Sequence, residues 1–539
     1  MNVAYDPWIP VVTTSGKPTM ASLCDVLTEG EKYADLAVRP HERVSLMRLF
    51  LCVAHAALDG PRNHNEWCEV PVSLPRKVHI YFLEWNKDEK QAFELFHQKK
   101  PWLQVANLKL TESGKPSPVA LLDFELATGN NSTLFDHQGT LTSRIIAPEK
   151  IALNLLTFQN FSPGGGAPIA QWHEKKTSQV GNPDAPCLSQ SMAHCLLRGK
   201  NLAETIHLNL PTYDRIKIAY REYWYDKKKK EDVFKNVEFG RPVWECFPDK
   251  PDNLTAIQNA TQTYLGRLVP ISRWVRLFEK SDQMYCCNGF EYATHKDGFP
   301  AEPTAAVCLI TKKDKKGKVV TERKVVGINP EKATWRELSA LLTKRLSDGL
   351  GGPLAIENAP YDAAFDFQVC AMIRDQASMD IGIESVFHLS PAFQSNLSSY
   401  SYEVKQAEQI SQQLRRAIEA YRNTIDNDWA ARIKRTQAKD QWKLRNRLAQ
   451  AASLSYWTTV EKNLPLLMSH IETIGTDAAT KTREAWRKML YASACDAYRA
   501  ACGNETPRQM RAFAKGWDSL TTKKNDSESD NNKIKEDEV

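Results

Sequence analysis

From position 410 onward apolar residues return at every third or fourth place: Ile410, Leu414, Ile418, Tyr421, Ile425, Trp429 and Ile433. That spacing is the pitch of an α-helix and predicts one long helix with a single apolar face. Such a face must be buried against other helices. Further helical patterns follow at Leu444 and Leu448 and from Leu464 to Ile474, where Pro465 fits a first turn or a kink. A last pattern holds Trp486, Met489, Leu490, Ala497 and Tyr498 and stops before Gly503. Four segments with short connections predict a helical bundle over residues 404–520. The final stretch, 521–539, ends in TKKNDSESDNNKIKEDEV, is too polar to pack and is expected to be a disordered tail.

Nothing before residue 390 is so regular. A chain of 539 residues exceeds one compact core, so several domains are expected. RVSLMRLFLCVAHAAL (43–58) reads as a mostly buried helix. VHIYFL (78–83) and AVCLITKK (306–313) read as strands, the second entering a hairpin at Asp314–Gly317. DKKKKED (226–232) reads as a solvated loop. Frequent prolines and loops make residues 1–390 an irregular domain. HLSPAFQSNLSSYSYEV (388–404), serine-rich and broken by Pro391, marks a linker over 391–403. The fold class is therefore α+β, with a large irregular N-terminal domain followed by a C-terminal four-helix bundle.

Composition excludes several functions. No run approaches eighteen uncharged apolar residues, and MNVAYDPWIPVV lacks the basic and apolar regions of a secretion signal. A cytoplasmic protein with no membrane partner is expected. Its twelve cysteines suit buried thiols, and with Cys286 beside Cys287 and no C-x-x-C pair, no metal is expected. His194 beside Cys195 reads as core packing. G-x-S-x-G, H-E-x-x-H and any compact carboxylate cluster are missing, so no enzymatic activity and no cofactor are expected.

Two features remain. QNFSPGGGAPIA (159–170) sets Gly164, Gly165 and Gly166 between two prolines. A phosphate-binding P-loop needs Lys-Ser or Lys-Thr after its last glycine, but Ala167 and Pro168 stand there, and proline has no N–H to donate. The dinucleotide pattern G-x-G-x-x-G is also absent. A flexible turn, or a bare backbone entering a narrow space such as a DNA minor groove, is left. The second feature is charge. Residues 405–447 hold eleven basic side chains against five acidic ones, an excess equal to the +6 of the whole chain. A solvated helix face and a track for nucleic-acid phosphates both fit.

Together YDPWIPV (5–11), KPWLQV (100–105), ATGNNSTLFDHQ (127–138), NFSPGGG (160–166), CLLRGKNLAETIHLNLPT (195–212), IRDQAS (373–378) and SYWTTVEKNLPLL (455–467) resemble the CasA family. Members of that family are the large subunit of the type I-E CRISPR surveillance complex, Cascade. The likeness rests on order, spacing and the terminal helices, since each motif alone is short. It implies a non-catalytic subunit that inspects duplex DNA for a protospacer-adjacent motif, the PAM, and starts strand separation for R-loop formation. Gly164, Gly165 and Gly166 would lie along the minor groove, whose degenerate pattern favours relaxed motif choice. Gln376, with the small Ala377, would wedge beside the first target base pair, and Lys296 is the nearest candidate for a lysine finger. Asn130, Asn131 and Phe135 would dock on the guide RNA and neighbouring subunits. Arg415, Arg416, Arg422, Arg432, Lys434, Arg435, Lys443 and Arg445 would hold the displaced strand.

The partners so implied are crRNA, double-stranded target DNA, the backbone, 5′-handle-binding and small subunits, and an effector helicase-nuclease or other nuclease. A scaffold subunit that does not read DNA and a stand-alone enzyme are the alternatives.

Overall fold

In the computed structural model the described residues are all except 88, 113, 127–135, 137–143, 178–183, 222–224, 227–230, 233–238, 293–301, 314–316, 346–349, 376–377, 426–437 and 522–539. They form two compact units, Met1–Leu389 and Ser390–Val539. No described helix is long and apolar enough to cross a membrane.

The first unit is built around the Pro40–Leu58 helix, which is buried everywhere except at Pro40, Ala56 and Ala57. Proline at its first position and a Glu42 carboxylate that accepts from the Arg39 N–H at 2.8 Å fix its start. A helix buried on every side belongs in the middle of a large core. It packs against the His64–Trp85 and Pro148–Phe161 helices and against the Phe365–Asp375 strand.

VHIYFL is helical, not a strand: it completes the His64–Trp85 helix. Val70, Leu74, Val78, Tyr81 and Phe82 make its buried stripe, while Ile80 and Leu83 are exposed. That period begins upstream of Pro75, and tertiary burial of the stripe overrides the local β-propensity. AVCLITKK does supply a strand, Val307–Lys313, which pairs antiparallel with Val319–Val325 in the register Lys313↔Val319. At the charge run, Tyr225–Asp226 pairs with Glu231–Asp232 in a short antiparallel ladder; Lys227–Lys230 lie outside the described residues.

Every described sheet has two or three strands, all antiparallel. The longest pair is the hairpin Phe365–Asp375 and Ser378–Leu389, with His194–Arg198 on the other edge of its first strand.

In the second unit the expected linker is helical. Pro391–Ser395 and Leu397–Ile425 are helices, and the buried stripe of the latter already starts at Tyr400, Glu403, Val404 and Ala407. Serine is a middling helix former, and Pro391 sits in a first turn, where no N–H bond is lost. Ala438–Lys462, Leu464–Thr473 and Ala479–Ala501 match the expected segments, with Pro465 in the first turn of its helix. Trp429 and Ile433 lie outside the described residues, as does 522–539.

Pro507–Thr521 adds a helix that apolar spacing did not reveal. Its buried stripe is small, Ala512, Gly516 and Leu520, because it lies close against Leu397–Ile425. A Cβ on Gly516 would sit 2.0 Å from the Tyr498 hydroxyl and 2.6 Å from the Ala417 carbonyl oxygen. Only glycine allows that approach.

Candidate nucleic-acid interface

The glycine loop leaves the C-terminus of the Pro148–Phe161 helix, whose residues 151–161 are all buried. Its root is held by polar groups. Gln159 Nε2 donates to the Arg273 carbonyl at 2.8 Å while its Oε1 accepts from the Arg273 N–H at 2.9 Å. The Arg273 guanidinium, 5% exposed, donates to the Pro163 carbonyl at 2.6 Å and to that of Ser272 at 2.7 Å. Burial lowers this arginine to about 10. The Ser162 carbonyl accepts from Ala185 N–H at 2.9 Å, and Asp184 accepts from Gly164 N–H at 2.8 Å.

Beyond these anchors the backbone turns outward. Gly165 and Gly166 are exposed, and Gly165 has φ +148° with nothing within 4 Å of where a Cβ would stand. The tip is a bare backbone on a rigid root, and its φ is one that side-chain-bearing residues rarely adopt. A freely flexible turn would not need six hydrogen bonds beneath it.

The hairpin rises from the same core. Phe161, Cys187 and Leu188 pack with Cys370 and Met372 of the Phe365–Asp375 strand and with Val44 of the central helix. The glycine loop and hairpin thus share one apolar foundation. The paired strands run out to Asp375↔Ser378, with a register shift between Ile373 and Arg374. Gln376 and Ala377 fall between those strand ends and lie outside the described residues, as does Lys296.

Under the loop is a buried polar cluster. Arg48, fully buried, donates through Nε to Asn160 Oδ1 at 2.9 Å and to the Leu268 carbonyl at 3.1 Å, and it pairs with the buried Glu302. Asn160 in turn accepts through its carbonyl from Cys187 N–H at 3.0 Å. His194 Nε2 donates to the Cys187 carbonyl at 2.9 Å, so its Nδ1 accepts from the Thr304 hydroxyl at 2.7 Å. Burial drops this imidazole to about 3, so it is neutral. Cys187, His194 and Glu302 bring potential ligand atoms within 4.8 Å of one another. Both ring nitrogens are already engaged, however, and the Arg48 cation occupies the carboxylate. The trio is a satisfied core cluster rather than a cation cage.

The expected docking segment is described only at its edges: Asn130, Asn131 and Phe135 lie outside the described residues. Asp136 and Arg144 face each other in a bidentate pair at 2.8 Å. Asp123, just before the segment, accepts from Arg39 at 2.7 Å and Lys150 at 2.9 Å. Burial alone would raise the Asp123 carboxyl, but these cations pull it down to about 2.

Of the basic positions, Arg415 and Arg416 are exposed on the Leu397–Ile425 helix and Arg422 is half-buried on it. Lys443 and Arg445 belong to the Ala438–Lys462 helix. Arg432, Lys434 and Arg435 lie outside the described residues.

The sequence profile of the CRISPR-associated protein Cse1 family matches residues 2–497. The chain belongs to the Cse1 family. This is the large subunit of type I-E Cascade, which the landmark motifs resemble. The CRISPR-associated protein CasA/Cse1 of Thermus thermophilus is 26% identical over 543 residues, spanning 96% of this chain and 95% of that one. Among solved structures, Thermus thermophilus CasA (Cse1) superposes with a TM-score of 0.68 at 22% identity, covering 96% of this chain and 98% of that one. A chain of a CRISPR RNA-guided surveillance complex gives 0.67 at 18% identity, covering 96% and 99%.

For a Cse1 chain the motif glycines were legible in sequence, but their supports were not. Gln159, Asp184 and Arg273 carry no spacing signal and come from three separate segments. The one clue was that Gln159 begins the polar break after a run of helical apolar residues.

Proposed function

We propose that this chain is the non-catalytic, DNA-inspecting subunit of an RNA-guided surveillance complex. In this reading the Gly164–Gly166 backbone probes the minor groove of duplex DNA beside the target. Gln376 and Ala377 then open the first base pair, and Arg415, Arg416 and the basic residues after them hold the displaced strand. The 127–143 segment docks crRNA and the neighbouring subunits, and the assembled complex hands its target to a nuclease. Lys296 is the accompanying contact next to the first base pairs.

The observation that supports this reading is the exposed tip at Gly165, open above a hydrogen-bonded root at Gln159, Arg273 and Gly164. A backbone probe meets base edges without a side chain in the way, and a rigid root keeps it in register. Opening one base step costs a few kcal/mol, and fixed contacts on both sides must offset it.

The test is Gly165→Val in the assembled complex. Its φ disfavours valine, and the added bulk blocks groove entry. Binding to a motif-bearing duplex should fall about tenfold more than binding to a pre-opened bubble, a difference of about 1.4 kcal/mol. Equal losses on both substrates would overturn the loop assignment. Gln376→Ala should slow duplex opening while assembly stays intact; unchanged opening and binding would leave only a scaffold role.

A further inference from the structure

The landmark KPWLQV lies outside the loop tip, the hairpin and the basic helices, and meets the loop root at the Leu103 carbonyl, which accepts from Gln159 Nε2 at 3.3 Å. It walls a cavity of about 410 Å³ in the first unit, a size suited to a small ligand. Trp85, Trp172, Trp244 and Phe247 line the same cavity.

Polar side chains line it as well: the acids Glu245 and Asp249, three lysines (Lys90, Lys99 and Lys100) and the amides Gln104 and Asn107. Trp102 is 1% exposed, and its indole N–H is buried without a partner beneath the cavity surface. Glu245 accepts from the Tyr81 hydroxyl at 2.5 Å through one oxygen, and that hydroxyl accepts from Trp244 Nε1 at 2.8 Å. The other Glu245 oxygen has no hydrogen bond or ion pair among the described residues. Lys99 and Lys100 stand exposed at the mouth, and neither is ion-paired among the described residues. Leu103, in the wall, has φ +53°, a conformation that a bulky side chain adopts only under constraint. The cavity therefore offers aromatic walls, one carboxylate oxygen free to accept and two unpaired lysines.

We infer that this cavity takes one unpaired nucleotide. Its base would lie against the tryptophan and Phe247 rings and its phosphate at Lys99 and Lys100. The base edge would donate an amine to Glu245, which favours adenine, cytosine or guanine. Base stacking on aromatic rings and phosphate contact with lysine are the usual means of holding single-stranded nucleic acid. An aromatic peptide side chain would use the walls but leave the two cations and the carboxylate without work.

The test is isothermal titration calorimetry on the full chain with AMP, CMP, adenosine, inorganic phosphate, indole and a short single-stranded oligonucleotide. AMP and CMP should bind more tightly than adenosine or phosphate alone. Phe247→Ala and the pair Lys99→Glu with Lys100→Glu should each weaken binding about tenfold, in line with the usual share of one stacked base. Phe247→Tyr and the pair Lys99→Arg with Lys100→Arg should restore it, which separates lost contact from lost folding. An oligonucleotide that binds more tightly than AMP identifies a strand as the source; AMP alone binding identifies a free nucleotide. No heat with any nucleotide, or heat that both sets of changes leave untouched, overturns the inference. So does indole binding where nucleotides do not. Gly165→Val should leave this binding unchanged, so failure here does not bear on the groove-probing loop.

Discussion

The two units bury different things. The Pro40–Leu58 helix of the first takes His41, Glu42, Arg43, Ser45, Arg48 and His55 into the core with its apolar residues. The Leu397–Ile425 helix of the second buries one stripe, with Glu403 and Ser411 as its polar members. Most of the first helix's buried polar groups find partners in backbone carbonyls and side chains of other segments, Arg48 at Asn160 and Leu268 among them, while His41 has none. The second needs only complementary helix faces. A unit that positions bare loops has to be rigid beneath them, and buried hydrogen bonds confer that rigidity. A helical unit can satisfy its backbone within each helix and leave charge outside.

Acid should separate the two most strongly. Burial lowers His41 to about 3, His55 to about 4 and His194 to about 3, with Arg39 adding to the effect at His41 and Arg48 at His194. These groups are neutral in the folded unit but protonate near pH 6.5 once unfolded. The unfolded state therefore binds more protons between about pH 4 and 6.5, and stability falls as pH drops through that window. At pH 5 the loss is about 2 kcal/mol for each histidine, about 6 kcal/mol together. The helical unit has one histidine, His470, and should lose less. Urea denaturation at pH 7 and pH 5, following a probe in each unit, measures the difference. His41→Phe removes no hydrogen bond, since neither ring nitrogen has a partner, and should recover about 2 kcal/mol at pH 5. Parallel pH profiles for both units would break the comparison.

Next comes Arg48→Met. It strands Glu302 in the core and frees Asn160, so it should cost the first unit about 3–5 kcal/mol. Because Asn160 lies two residues before Ser162, the change should also lower duplex binding under conditions where the unit stays folded. A loss of less than about 1 kcal/mol would mean that Glu302 readily finds water.

How much of this was legible follows the same division. The helices of the second unit could be read because one apolar stripe repeats; the exceptions were informative. Tyr400 and Glu403 lay hidden in a serine-rich stretch, and Ala512 and Gly516 made a stripe too small to register as hydrophobic. In the first unit Pro40–Leu58 was readable as a buried run, but VHIYFL was misread because Pro71 and Pro75 obscured the helix that contains it. The glycine loop stood out by composition, whereas Arg273, Asp184 and Arg48 become significant only when distant segments meet. A sequence displays what repeats locally. It does not display which carbonyl a buried arginine will reach.

The smallest effect should come from Glu403→Gln. Glu403 is 1% exposed and accepts from Arg483 at 2.8 Å and Arg487 at 3.0 Å. Those arginines are 43% and 40% exposed and lie over the Tyr402 ring at 5.5 and 5.7 Å. Glutamine keeps an acceptor oxygen, and both guanidinium groups can turn to water, so the cost should be about 1–3 kcal/mol. Replacing both arginines by glutamine instead leaves the buried carboxylate without a cation and should cost more, about 3–5 kcal/mol. Urea denaturation of the helical unit compares the two changes directly. The order depends on which side of the pair is dry: in the first unit both partners are, and in the second only the acid is. If Glu403→Gln cost as much as Arg48→Met, the helical unit would also depend on a closed polar core, and the contrast between the units would fail.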